Sequence, residues 1–141
     1  MLLVDANVLL HAVNRSAREH ETARAWLHSA LAGTEPVAFA WIVLLAFLRL
    51  ATHPAIFTRP LSSEQAGETL EGWLGVPPTM IVEPTRRHLY VLRGLLTSTG
   101  TAGNLVSDAH LAAIALEHDA TVVSFDRDFA RFEGVRSYVP S

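Results

Sequence analysis

Unbroken apolar runs alternate along this chain with longer segments in which apolar residues recur at helical spacing. Residues 1–4 form a run of four apolar residues without polar alternation, which is typical of a parallel strand covered on both faces. Similar runs predict three more strands, and an edge strand near the end of the chain makes the fifth. The predicted strands cover residues 1–4, 37–40, 80–82, 121–124 and 136–139.

Helices are predicted between these strands. The segment 41–51 is apolar nearly all round, so we expect a central helix there. Ser107 resembles the N-cap of a helix that begins at Asp108, and the polar segment 97–104 before it is predicted to be a loop. This alternation predicts an α/β fold with a parallel sheet between helices. The predicted helices cover residues 7–13, 17–31, 41–51, 62–74, 85–96 and 108–117, with a helical turn at 126–132.

The length, composition and net charge of the chain exclude several classes of protein. The chain has 141 residues, half of them apolar, which suits a single domain spanning 1–141. It has no cysteine and no visible signal peptide, which fits a cytoplasmic protein, and its longest apolar run, 37–48, is too short to cross a membrane. The net charge of −3 argues against a protein that coats nucleic acid through charge alone. The absence of lysine excludes P-loop and Schiff-base chemistry.

Aspartates carry the main candidate chemistry. Asp5 and Asp126 follow the ends of predicted parallel strands, and Asp108 lies at the start of a predicted helix. Because ligands bind beyond the carboxyl ends of the strands in an open α/β sheet, we expect these three carboxylates to converge there. A site built of oxygen ligands suits Mg²⁺ or Mn²⁺. Such an ion promotes hydrolysis of a phosphodiester, so the sequence favours a nuclease.

Each acid also has a plainer interpretation. Asp5 could cap the helix that follows it, and Asp108 in a first helical turn could complement the helix dipole. Asp126 and Asp128 could be solvated turn residues. Only the combination of these acids favours a shared site.

The combination resembles the PIN-domain ribonucleases and, within them, the VapC toxins of bacterial toxin–antitoxin modules. Three segments carry the resemblance and span nearly the whole chain: LLVDANVLLHA, LLAFLRLATHP and TAGNLVSDAHLAAIALEHDATVVSFDRDFARF. The resemblance implies a three-layer α/β/α fold with about five parallel strands and Mg²⁺-dependent endonuclease activity on structured RNA, with tRNA as the expected class. It also implies a cytoplasmic homodimer that a cognate VapB-type antitoxin inhibits.

The resemblance assigns roles to individual acids. Asp5 matches the first metal-binding aspartate of the family, Asp108 the third acid and Asp126 the fourth. The second family acid is usually a glutamate in the middle helix, where this chain has Ala46 in LLAFLR. We interpret Ala46 as a subgroup trait, although an engineered replacement or a weakened nuclease would give the same sequence.

Three further residues are accessory candidates. Asn104 could supply a replacement oxygen or simply be a loop asparagine, and Asp128 lies close to Asp126 in the sequence. Arg49 closes an apolar helix, where it could hold a phosphate or only extend to solvent. The alternative to an active nuclease is a catalytically weakened module that binds RNA or a protein partner.

Overall fold

A computed structural model of the chain describes residues 1–100 and 103–141, apart from the side chain of Asn104. Within these residues, five strands form one sheet in the order β3-β2-β1-β4-β5, and every neighbouring pair is parallel. This confirms the predicted α/β class with a parallel sheet. The strands are β1 (Leu2–Val4), β2 (Val37–Ala40), β3 (Thr79–Val82), β4 (Thr121–Val123) and β5 (Ser137–Tyr138).

Six α-helices connect the strands in the described part of the chain, and two 3-10 turns, at Gly103–Leu105 and Arg127–Arg131, flank the last helix and β4. Helix α4 begins as its sequence predicts, because Ser62 and Gln65 bond reciprocally in a capping box. The helices are α1 (Ala6–Val13), α2 (His20–Leu31), α3 (Trp41–Ala51), α4 (Ser63–Leu74), α5 (His88–Thr99) and α6 (Val106–Glu117).

Some predicted helix ends are wrong by about one turn. Helices α2 and α5 start three residues later than predicted, because hydrogen-bonded turns occupy the residues before His20 and His88. Helix α5 also extends to Thr99, into the predicted polar loop. Ser107 is not an N-cap: the 3-10 turn leads directly into α6, so Ser107 lies in the first helical turn and Leu105 precedes the helix without a side-chain cap.

The core lies on both sides of the central strands. All four residues of β2 are buried, as are Leu3 and Val4 of β1, which agrees with unbroken apolar runs covered on both faces. Helix α3 buries one face in this core, but Trp41 and Leu45 on its other face are 49% and 58% exposed. The expected central helix therefore presents an apolar stripe to its surroundings. Over the described ranges, no helix combines the length and hydropathy required to span a membrane.

Candidate active site

Asp5 owes its position to the pairing of β1 with β4. Val4 and Val123 are partners in the parallel ladder, so the residues that follow them, Asp5 and Ser124, leave the same edge of the sheet side by side. The Asp5 Oδ1 atom accepts a 2.7 Å hydrogen bond from the Ala6 N–H and caps α1, while Oδ2 accepts one of 2.6 Å from the Ser124 hydroxyl. The capping interpretation of Asp5 is thus correct and coexists with its place at the strand end.

Ser124 is the centre of a hydrogen-bond network that sequence reasoning missed. Its hydroxyl oxygen accepts hydrogen bonds from the Asn7 side-chain amide at 3.0 Å and from the Asp126 N–H at 3.0 Å. The hydroxyl itself donates the hydrogen bond to Asp5. The Asn7 side-chain oxygen in turn accepts from the Phe125 N–H at 3.1 Å. Ser124 is 2% exposed. The signal in the sequence is a polar residue directly after the apolar run of a strand, in the segment SFD. This network joins the exit of β4 to the start of α1.

A cleft of about 480 Å³, which we call the acid cleft, lies beside this network. It brings together Asp5 and Asp108, the two residues predicted to hold a metal, and Arg49 also borders it. Ala46 contributes only a methyl group to the wall where the family resemblance implies a glutamate. The lining residues include Asp5, Ala46, Arg49, Ser107, Asp108 and Leu111.

Of the other candidates, Asp126 and Asp128 are not among the residues that line the acid cleft. Asp126 is half-buried, borders a neighbouring cleft together with Ser124, and uses Oδ1 to accept a hydrogen bond from the Asp128 N–H at 2.8 Å. Asp128 is exposed, so both acids also match their interpretation as turn residues. The predicted accessory role of Asn104 concerns a side chain outside the described residues. Arg49 forms no ion pair within the described part of the chain.

Burial and mutual repulsion make ionisation of the cleft acids unfavourable. Burial raises the pKa of Asp5, hydrogen bonds from Ser124 and Ala6 lower it, and the charge of Asp126 raises it again. The pKa of Asp108 is raised to about 6, first by burial and then by the negative charges of Asp126, Asp5 and Asp128. The acids therefore affect one another electrostatically, and a cation in the cleft would relieve their repulsion.

The donor set fits a hard divalent cation, although it is not a closed cage. Among the described residues, no group of three or more histidine, aspartate or glutamate side chains is placed to hold a metal ion. Asp5 and Asp108 nevertheless offer carboxylate oxygens to one cleft. Mg²⁺ typically keeps several waters and binds through one or two carboxylates together with substrate phosphates. Two acids in an open cleft are consistent with that mode of binding.

Known proteins match the chain over almost its full length. The family model described as PIN domain matches residues 2–135. Ribonuclease VapC37 of Mycobacterium tuberculosis is 53% identical over 136 residues, which cover 96% of this chain and 94% of that protein. Ribonuclease VapC31 of the same organism is 42% identical over 140 residues, which cover 99% of both chains.

Solved structures share the fold. The complex VapBC2 from Rickettsia felis, bound to a DNA fragment from its promoter, superposes with a TM-score of 0.72 at 18% identity and covers 99% of this chain and 98% of that one. VapC20 of Mycobacterium tuberculosis, a toxin that cleaves the sarcin-ricin loop, gives 0.69 at 18% identity and covers 96% and 99%. The chain therefore belongs to the PIN-domain family. Within that family it is one of the VapC ribonucleases, the toxin components of VapBC toxin–antitoxin modules.

Proposed function

We propose that this VapC ribonuclease cleaves structured RNA, with tRNA as the substrate class, in a reaction that depends on Mg²⁺ or Mn²⁺. Asp5 and Asp108 would hold the ion, and Asp126, which borders the neighbouring cleft, would be the further catalytic acid that acts on them through its charge. The observation that supports this proposal best is the acid cleft itself, where two carboxylates with raised pKa values lie in one opening. We further propose that residues 1–141 act as a single domain and that the protein is a homodimer.

Each residue contributes a separate chemical role. When bound, the divalent ion lowers the pKa of a water molecule and neutralises charge on the phosphate that is attacked. Ser124 and the Ala6 N–H fix both oxygens of Asp5, so this carboxylate is oriented before substrate arrives. Arg49 borders the cleft and can bind the RNA phosphate through its guanidinium fork. Asp108, whose pKa is about 6 in the metal-free protein, is ionised at neutral pH and can therefore offer its carboxylate to the ion.

We propose that Ala46 marks a reduced site that remains active. Ala46 borders the cleft together with the acids and Arg49, and its short side chain leaves volume there for water or for the RNA phosphate. Because Mg²⁺ can bind through one or two protein carboxylates, the loss of one family acid does not by itself remove the ion. Asp5 and Asp108 are then the indispensable pair.

A cognate VapB-type antitoxin is the proposed protein partner. Trp41 and Leu45 form an exposed apolar stripe on α3, and Leu45 also borders the acid cleft. An amphipathic helix of the antitoxin could cover this stripe and the region around residues 41–57. An arginine from the same segment could then enter the cleft and pair with Asp5 and Asp108, which would exclude both metal and RNA.

Single-turnover cleavage of a tRNA pool against Mg²⁺ concentration tests the proposed function. We expect cleavage by the parent protein and none by Asp5→Asn or Asp108→Asn. Asp119→Asn is the matched control, because Asp119 lies outside the cleft, bonded to Arg136, with a φ of 52° that asparagine tolerates. Sequencing of RNA 5′ ends after induction in cells, for the parent and for Asp5→Asn, identifies the cleaved site.

The second candidate function is a weakened module that binds RNA or a protein without cutting. Ala46 in the place of the family glutamate favours it. The two candidates differ in their response to metal: a nuclease with the proposed site gains cleavage when Mg²⁺ or Mn²⁺ is added, whereas the weakened module binds RNA or its partner but shows no metal-dependent cleavage at any concentration.

A further inference from the structure

Helix α5 carries an exposed basic and aromatic face that lies outside the lining of the acid cleft. Arg86 and the N-cap residue Arg87 precede the helix, and Tyr90 and Arg93 follow Arg87 at spacings of three residues, which place them along one side of it. All four residues are exposed, Tyr90 to 76%. The Arg87 guanidinium lies 5.8 Å from the centre of the Tyr90 ring. Within the described residues, none of the three arginines forms an ion pair.

This face borders a groove of about 670 Å³, which we call the α5 groove. Tyr90 and Arg93 line it together with Gly94, Thr97 and Ser98 from the next turns of α5. Glu133 is the acidic residue among its lining residues, and it approaches from the segment before β5. A groove of this size falls within the range of ligand sites. Its lining contains one cation, Arg93, and one anion, Glu133, and the further positive charge of this region comes from Arg86 and Arg87 outside the lining.

Gly94 lies in the wall of the same groove. A glycine in the middle of a helix destabilises it by about 1 kcal/mol relative to alanine. Gly94 has no packing reason to be glycine, because a Cβ atom added there would meet no atom within 4 Å. It lines the groove wall, where the missing side chain lets a ligand approach the helix backbone closely.

Hydrogen bonds join α5, which forms most of the groove wall, to α6, the helix that carries Asp108. The His88 Nδ1 and Glu117 Oε2 atoms lie 2.6 Å apart, and His88 Nε2 lies 2.8 Å from His110 Nδ1. Glu117 also accepts hydrogen bonds from the Thr85 backbone and hydroxyl. These contacts join the start of α5 to α6, so a ligand held on α5 has a defined position relative to the acid cleft.

We propose that the α5 groove binds a single-stranded stretch of the RNA substrate outside the cleaved bond. The arginines bind successive phosphates, and a base stacks on Tyr90, the combination by which proteins hold single strands without reading their sequence. The proposal rests on the proposed function for its choice of polyanion. An acidic protein segment is the competing ligand for the same charges, but it has no planar base to explain an exposed tyrosine beside the arginines.

Binding of a fluorescent 12-nucleotide single-stranded RNA, measured by anisotropy in EDTA at several salt concentrations, tests the proposal. The triple variant Arg86→Gln, Arg87→Gln, Arg93→Gln should reduce the slope of log Kd against log salt by about 2, at roughly 0.7 per lost phosphate contact. The control triple variant Arg15→Gln, Arg18→Gln, Arg24→Gln removes the same charge from exposed residues elsewhere and should leave the slope nearly unchanged. Equal losses in both triples would overturn the proposal.

Two further pairs of variants test base stacking and close approach of the RNA to the helix separately from charge. Tyr90→Ala should weaken binding by about 5- to 100-fold, whereas Tyr90→Phe retains a ring and should bind normally. Gly94→Ala should raise Tm and weaken binding, while Gly67→Ala, at a helical glycine of α4 that also lacks neighbours, should raise Tm alone. Unchanged binding in Tyr90→Ala would overturn the proposed stacking site.

Cleavage in Mg²⁺ distinguishes this proposal from the proposed function. If the parent cleaves RNA and the arginine triple raises KM without lowering kcat, both stand. If the parent cleaves and the triple is unaffected in both binding and KM, the α5 groove is not an RNA site, although the nuclease is. If the parent does not cleave but RNA binding follows the expected variant pattern, the groove stands and the nuclease proposal fails. Binding of polyglutamate in preference to RNA, with the same pattern, overturns the choice of RNA.

Discussion

The hydroxyl of Ser124 donates a hydrogen bond of 2.6 Å to the Oδ2 atom of Asp5, although 119 positions separate the two residues. This bond lowers the pKa of Asp5 against the larger effect of burial, which raises it. The same hydroxyl oxygen accepts the N–H of Asp126. One buried serine therefore influences both the ionisation of Asp5 and the backbone position of Asp126.

Replacement of that serine should shift the pH dependence of cleavage. In Ser124→Ala the pKa of Asp5 rises further, so cleavage at subsaturating Mg²⁺ should fall more at pH 6 than at pH 8. The Asn7 amide and the Asp126 N–H also lose their acceptor, which should destabilise the fold by about 1–3 kcal/mol. Urea unfolding and a pH–rate profile measure the two effects. Ser124→Thr, which retains the hydroxyl, is the control, and an unshifted profile in Ser124→Ala would contradict the role assigned to this bond.

Asp108→Asn should stabilise the metal-free protein while abolishing cleavage. The folded-state pKa of Asp108 is about 6 against 3.8 for the free acid, so its contribution to stability is present below about pH 4 and is lost as the pH rises through 6. The full shift corresponds to about 3 kcal/mol. Because the side chain is partly exposed and screened by solvent, we expect a gain of about 1–2 kcal/mol at pH 7.5.

Urea unfolding in EDTA at pH 7.5 and pH 4.5 measures this gain, which should largely disappear at the lower pH. Asp119→Asn is again the matched control and should show no such difference. A gain of equal size at both pH values would mean that the effect does not come from ionisation of Asp108.

Divalent metal should stabilise the parent protein. A ligand at 100 times its Kd adds about 2.7 kcal/mol to the free energy of unfolding, which corresponds to roughly 9 °C in Tm for a chain of this length. Differential scanning fluorimetry with Mg²⁺, Mn²⁺ and Ca²⁺ measures the shift. In Asp5→Asn the shift should vanish because one of the two carboxylates that hold the ion has lost its charge. An equal shift in both proteins would place the bound metal elsewhere.

Ala46→Glu should leave cleavage unchanged or increase it. The new carboxylate would border the acid cleft beside Asp5 and Asp108 and should lower the Mg²⁺ concentration at half-maximal cleavage. Ala46→Gln, of nearly the same size but neutral, controls for the loss of volume. If the parent shows no metal-dependent cleavage and Ala46→Glu restores it, the protein is inactive as it stands and the binding-module hypothesis is favoured.

Glu117→Gln should weaken the fold at neutral pH and much less in acid. Burial raises the pKa of Glu117, but hydrogen bonds from Thr85 and His88 outweigh it and leave the pKa below its ordinary value. A lowered carboxyl pKa stabilises the folded state above about pH 4.5, and that contribution is lost as the pH falls through the folded pKa. Urea unfolding at pH 7 and pH 4 tests this. Glu64→Gln, at an exposed position in the first turn of α4, should change little at either pH.

The sequence predicts the ends of the central strands well, and with them the position of Asp5. Short apolar runs identify β1 and β2, and the nearly all-apolar segment 41–51 places α3 within the correct residues, because each of these signals is local. The contacts of Ser124 and Asn7 are not predictable in this way. The contacts that join Ser124 to Asp5 and Asn7 span more than a hundred residues, so neither periodicity nor capping preference indicates them.

The N-terminal boundary of α6 shows why local rules fail near this site. Ser107 followed by Asp108 matches the composition of a helix start, yet the preceding 3-10 turn already supplies helical backbone geometry at Leu105. The cap preference therefore does not decide where the helix begins. Asp108 nonetheless lies in the first turn of α6, as expected, because a shift of two residues leaves it at the same end of the helix.

The hydrogen bond between Asp5 and Ser124 can form only after the chain has been synthesised as far as residue 124. Translation reaches Asp5 119 residues before Ser124, and the strand that brings Ser124 to it, Thr121–Val123, is made only just before that serine. Until then β1 lacks its β4 neighbour and Asp5 lacks the hydroxyl that orients it. A chain that is terminated before Ser124 thus carries Asp5 without the complete site, and this carboxylate is oriented only after β4 has joined the sheet.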